Sequence, residues 1–112
     1  MTNYKRGDVI LLPFPFTDLS INKKRPAVIV STDDYNKRYV DVIVMPITGN
    51  LATCQPEDTK IEDWREAGLA KPSLVKPIIG TIEQTQIIHP LGIFSLRDLE
   101  KVEKMVLTIL GF

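Results

Sequence analysis

The sequence predicts a mainly β fold with a C-terminal α-helix: a small, strongly bent antiparallel sheet or barrel on which the helix lies. Three observations carry this. Short runs rich in valine and isoleucine recur between turn signals, in "VILLPFPF", "PAVIVST" and "YVDVIVMPIT". Apolar residues recur at helical spacing near the end of the chain, at Leu96, Leu99, Val102, Val106 and Ile109. The 112 residues fit one domain, residues 1–112, and leave no room for a second.

Gly7-Asp8 is a turn signal, and "VILLPFPF" after it is a buried first strand. Pro13 and Pro15 donate nothing to a ladder, so the second half of that run belongs on an edge or at a bend. "TDLSINKK" reads as an exposed loop, "PAVIVST" as a second strand and "DDYNKR" as a polar connection out of it. "YVDVIVMPIT" is a third strand, ended by Pro46 and by Gly49-Asn50. Residues 51–63 form a long polar loop with a short strand at "DTKIE", and "DWREAG" makes one helical turn closed by Gly68. "SLVKPIIGTIEQTQII" supplies one or two strands broken near Pro77 and Gly80, and "PLGIF" is a further strand or an extended connection. Ser95 caps the final helix, Asp98 completes an acidic capping box, and Gly111 ends it.

Acids and bases cancel to a formal net charge of zero, so any basic patch must be local. Residues 1–25 hold Lys5, Arg6, Lys23, Lys24 and Arg25 against Asp8 and Asp18, whereas residues 57–66 are mainly acidic. The single cysteine, Cys54, makes no internal disulfide and fits a reducing compartment. "MTNYKRGD" lacks the apolar stretch of a signal peptide, and no run is long enough to span a membrane, so a cytoplasmic protein without a membrane partner is expected.

One histidine, His89, and one cysteine are too few for a zinc site at short spacing, and no metal or cofactor is expected. The six glycines are scattered and form no phosphate loop. The acid pairs Asp33-Asp34, Glu57-Asp58 and Glu62-Asp63 sit on loops, where neighbouring carboxylates usually point apart into water. Trp64 fits a small satellite core or a partner contact. Arg25 stands out. The stiff backbone before Pro26 positions it at a strand start, and its planar fork matches phosphate oxygens bidentately. If the second and third strands pair antiparallel, Thr48 lies beside it, with Lys23 and Lys24 on the loop above. An arginine and a hydroxyl on one rim can bind a phosphate and stabilise the charge that builds on it during transfer.

The segments "GDVILLPFPFTD", "KKRPAVIVS", "VIVMPIT", "AGLAKPSLVK" and the closing "ILGF" occur in this order, and the combination resembles the MazF/PemK family of toxin endoribonucleases over essentially the whole chain. The resemblance implies an SH3-like barrel with a C-terminal helix, a homodimer, and inhibition by a cognate antitoxin. It implies metal-independent cutting of single-stranded RNA at short sequences, by attack of a ribose 2′-hydroxyl on the adjacent phosphate. Arg25 falls on the arginine of the family's "RPAV" motif and is expected to bind the scissile phosphate. Thr48 falls on the threonine of "PIT" and is expected to hydrogen-bond the same group. Lys23, Lys24 and Lys76 are expected phosphate contacts. Phe16 and Thr17, where the first strand leaves the barrel, offer either core packing or a place for a base to stack.

Two departures bear on mechanism. The "SINKK" loop carries neither acid nor histidine, and Lys76, Pro77 and Ile78 stand where some relatives have Arg-x-Asp. Arginine, with a pKa of about 12.5, is a poor base, which leaves the general base unassigned and Glu83 as an acid on a nearby segment. Two rival readings follow: a CcdB-like gyrase inhibitor on the same barrel, and an RNA-binding module that has lost cleavage.

Overall fold

The computed structural model describes residues 4–13 and 24–112. Among these residues seven strands form one antiparallel system: β1 (Asp8–Pro13), β2 (Lys24–Ile29), β3 (Asp41–Thr48), β4 (Thr59–Lys60), β5 (Leu74–Val75), β6 (Gly80–Glu83) and β7 (His89–Ile93). They are ordered β4-β5-β3-β2-β1-β7, with β6 also paired to β3. Two α-helices, α1 (Asp33–Arg38) and α2 (Leu96–Leu110), and two short 3-10 turns, Leu51–Thr53 and Gln84–Gln86, complete the order. No helix among the described residues is long and apolar enough to cross a membrane.

The valine and isoleucine runs form strands because both faces of the sheet are covered. Ile10, Leu12, Ala27, Ile29, Val42, Val44 and Ile82 pack together on one face. Val9, Val28, Met45, Ile47 and Val75 face the other way, where Val102 and Met105 of α2 and Phe94 close over them. Alternation of side chains along each strand sends neighbours such as Val44 and Met45 into different clusters, and both are fully buried. Trp64 is half-buried against the cluster under α2, with the Arg65 guanidinium 4.5 Å from the ring centroid, as a satellite of the core.

Several expectations need correction. "DDYNKR" is a helix. Thr32 caps it by accepting the Tyr35 N–H, with Asp33 and Asp34 in the first turn and Lys37 and Arg38 in the last, as the helix dipole favours. Pro46 does not end the third strand but lies within it. Its carbonyl accepts the Lys76 N–H. The N–H it lacks would point to that same side, between the stretches of β3 paired with β6 and with β5. "PLGIF" contributes to a true strand, β7, and "DTKIE" to β4.

Ser95 caps α2, accepting the Asp98 N–H, and Gly111 ends it at φ 84°. Asp98, however, does not complete a capping box; its buried carboxylate accepts the backbone N–H groups of Glu62 and Asp63 at 2.9 and 2.8 Å. Leu96 is 73% exposed and lies off the buried stripe, whereas Met105 lies on it. These contacts anchor the start of α2 to the loop before the "DWREAG" turn.

Asp63 reinforces that anchor. Arg97 donates to it through Nε and Nη2, both at 2.7 Å, and Ser95 Oγ donates at 2.5 Å. Hydrogen bonds from Arg97 first and Ser95 second lower the Asp63 pKa from 3.8 to about 2. A carboxylate with a depressed folded-state pKa stabilises the fold above its unfolded pKa, and that contribution fades as pH falls through the folded value. Arg97→Ala is therefore expected to lower stability at neutral pH. In urea melts, the gap to wild type should shrink between about pH 4 and pH 2. A gap that stays constant across this window would rule out the Asp63 contribution.

Candidate active site

Strands β2 and β3 pair with Ala27 opposite Pro46, Val28 opposite Met45 and Ile29 opposite Val44. Extending that register by two residues sets Arg25 across from Thr48, as the antiparallel reading required. Both line one pocket of about 180 Å³, together with Lys76, Asn50 and Thr53, over a floor of Pro46, Ile47 and Ile78. Arg25 is half-buried at the start of β2, so its guanidinium stem is held by the sheet before Pro26 turns into the core.

The loop after β3 is built to present hydroxyls. Thr48 Oγ1 accepts the Asn50 N–H at 3.1 Å, Asn50 Oδ1 accepts the Ala52 N–H at 3.2 Å, and Thr53 Oγ1 donates to the Asn50 carbonyl at 3.2 Å. Accepting a bond uses a lone pair of Thr48 and not its proton, so the hydroxyl keeps its capacity to donate to an anion. Lys76 enters from the segment after β5. Its N–H bonds to the Pro46 carbonyl at 2.9 Å, and its ammonium donates to Asp58 Oδ2 at 2.7 Å and to the Thr53 carbonyl at 3.4 Å. Lys71 adds a further cation at the edge, because its side chain lies so close over Gly49 that a Cβ there would collide with it.

The structure thus brings Arg25, Thr48 and Lys76 together. Lys24 is exposed at the first position of β2, opposite Pro13. Lys23, Phe16 and Thr17 lie outside the described residues. Glu83 is far from the pocket. It pairs with Asp41 at the opposite end of β3, about 23 Å along the strand from Thr48 at ~3.3 Å per residue. His89 is exposed at the start of β7, and Cys54 is exposed beyond Thr53. Among the described residues no three His, Cys, Asp or Glu side chains converge as a metal site. Sequence reasoning missed Asn50, Thr53, Lys71 and Asp58. Its loop position puts Asp58 among the acids expected to point into water, yet its side chain is fully buried.

A fork, an ammonium and a hydroxyl around a small cleft, which no carboxylate lines among the described residues, are groups that can hold an anion. The family model for PemK-like, MazF-like toxins of type II toxin–antitoxin systems matches residues 5–110. The chain belongs to that family. No curated protein sequence matches it. Among solved structures, an endoribonuclease from a mycobacterial species in complex with its cognate antitoxin is similar with a TM-score of 0.78 at 22% identity, over 100% of this chain and 97% of that one. MazF from Deinococcus radiodurans is similar with a TM-score of 0.79 at 19% identity, over 100% of both chains. The MazE–MazF complex from the same organism gives 0.78 at 17% identity, over 100% of this chain and 99% of that one. At these identities the structural likeness establishes the fold: a mainly antiparallel sheet with a C-terminal helix, as in MazF.

Proposed function

We propose that this MazF-like toxin is a metal-independent endoribonuclease that cuts single-stranded RNA at short sequences through the Arg25–Thr48–Lys76 pocket. The observation that carries the reading is that these three donors, from three separate segments, line one cleft. In the proposed reaction the 2′-oxygen of the ribose attacks the adjacent phosphorus and the bond to the 5′-oxygen breaks. The 2′-hydroxyl proton passes to solvent, the departing 5′-oxygen takes up a proton from solvent, and the products are a 2′,3′-cyclic phosphate and a 5′-hydroxyl. Arg25 grips two phosphate oxygens, Thr48 donates to one of them, and Lys76 offsets the negative charge that grows in the transition state. Among the described residues no carboxylate or imidazole lines the cleft, and the reading assigns rate enhancement to alignment of the 2′-oxygen with the leaving oxygen and to fixed positive charge. DNA lacks the attacking hydroxyl and is left intact.

The same reading gives the toxin a cognate antitoxin, a second copy of itself and a cytoplasmic setting. Leu107 and Leu110, on one face of α2, and Phe112 beyond it are apolar and exposed, which suits burial against a protein partner. The test is to incubate the purified protein with mixed single-stranded RNA in EDTA and map the new ends. Cyclic phosphate and 5′-hydroxyl ends, absent where a 2′-deoxy residue replaces the nucleotide before the cut, are expected. Ends of the opposite polarity, or loss of cutting in EDTA, would sink this mechanism. RNA bound tightly but left whole would favour the binding module, and no interaction with RNA would favour a gyrase-type inhibitor.

A further inference from the structure

Asp58 is a buried carboxylate with few partners. Its neighbours Pro56 and Glu57 are exposed, whereas its own side chain has no accessible surface. Oδ2 accepts from the Lys76 ammonium and from the Gln55 N–H, each at 2.7 Å. Oδ1 is buried with no hydrogen-bond partner among the described residues. A carboxylate in that state depends on the Lys76 cation, because removing it strands a poorly compensated buried charge. The dependence works in both directions. Lysine is ordinarily a mobile point charge on a four-carbon stem, but Lys76 cannot swing into solvent without leaving Asp58 behind.

We propose that Asp58 is a positioning residue of the pocket, fixing the Lys76 ammonium on the wall it shares with Arg25 and Thr48. The proposal rests on the reading of that pocket as a phosphodiester site. An ammonium has three N–H donors. One goes to Asp58 and one to the Thr53 carbonyl, which leaves the third for a phosphate oxygen. Asp58 lies 18 positions before Lys76, on another loop, so the fold alone brings the two together. Asp58 itself does not touch the RNA, since its carboxylate lies behind the lysine and does not line the cleft.

Positioning and simple charge predict opposite signs for Asp58→Asn. Removing a negative charge beside an RNA site strengthens binding through space, whereas releasing Lys76 weakens it. The measurement is the affinity for a single-stranded 2′-O-methyl oligoribonucleotide, which cannot be cut, by fluorescence anisotropy on wild type, Asp58→Asn, Lys76→Met and the double variant. Asp58→Asn is expected to bind about 5-fold more weakly and Lys76→Met about 10-fold, with the double variant within about 2-fold of Lys76→Met. Equal or tighter binding by Asp58→Asn, or losses that multiply in the double variant, would overturn the proposal. Should Lys76→Met fail to fold, Asp58→Asn and the double variant still decide, because adding Lys76→Met to Asp58→Asn should then cost about 2-fold, and at most about 4-fold, where independent contributions would cost about 10-fold.

A second readout needs no substitution. The ¹⁵N signal of the Lys76 ammonium should show slowed hydrogen exchange and restricted motion; an averaged, freely exchanging signal overturns the assignment. If wild type binds the oligonucleotide with the expected variant pattern yet leaves native RNA whole, the cleavage reading fails and the role of Asp58 stands. If wild type binds no RNA, the role of Asp58 fails as well.

Discussion

Arg25→Ala is expected to lower RNA cleavage by about 10²- to 10³-fold in kcat, the loss seen when one preorganised donor to a developing oxyanion is removed. The expectation follows from placement. Arg25 is half-buried at the mouth of β2, opposite Thr48, in a cleft whose other cationic lining residue among those described, Lys76, is tied to Asp58. A lysine tied in this way still donates one N–H, but it cannot reproduce a planar fork on two oxygens. Arg25→Lys is therefore expected to recover only a small part of the lost activity, although it keeps the charge. The effect should fall mainly on kcat, since positive charge elsewhere on the protein still attracts RNA, and the contact with Arg25 tightens as charge builds in the transition state. Circular dichroism must show both variants folded. Wild-type rates in Arg25→Ala would remove this pocket as the catalytic centre, and equal rates in Arg25→Lys and wild type would remove the bidentate contact.

The strands were legible in the sequence because the sheet is covered on both faces. Residues 9–12, 27–29 and 42–45 then read as near-continuous apolar runs bounded by turn residues. Helix α1 was not read, because its six residues carry no apolar stripe; its signature is a cap followed by acids and then bases, which periodicity does not register. The final helix was found with its face slightly misjudged. Leu96 counted as core because it is a leucine, yet the first turn of α2 is held by the polar contacts of Ser95 and Asp98. Arg25 and Thr48 were legible since strand pairing brings them together from a local motif each. Asp58 was not, because the partner that gives it meaning is reached only through the fold, on a segment that nothing in the local pattern connects to it.

Gly68→Ala is expected to destabilise the protein by about 3 kcal/mol, lowering the melting temperature by on the order of 10 °C. Two costs combine. Gly68 has φ +76°, a left-handed conformation that costs an alanine roughly 1–2 kcal/mol. It ends the single helical turn of residues 63–68, with its own N–H on the Arg65 carbonyl at 3.0 Å and the Leu69 N–H on the Trp64 carbonyl at 3.0 Å. The second cost is steric. A Cβ at Gly68 would overlap the backbone carbonyl of Leu91, and one at Gly92 would stand 2.7 Å from the Glu66 and Ala67 carbonyl oxygens. The turn and β7 therefore meet backbone to backbone, and neither side has a flexible side chain that could move aside. The effect should spread, because Asp63 at the start of this turn holds Arg97 and Ser95, and Ala67 at its end is part of the core beneath α2. Thermal denaturation decides the matter. A melting temperature within about 3 °C of wild type would mean that the turn and β7 can separate freely, and that α2 does not depend on their contact.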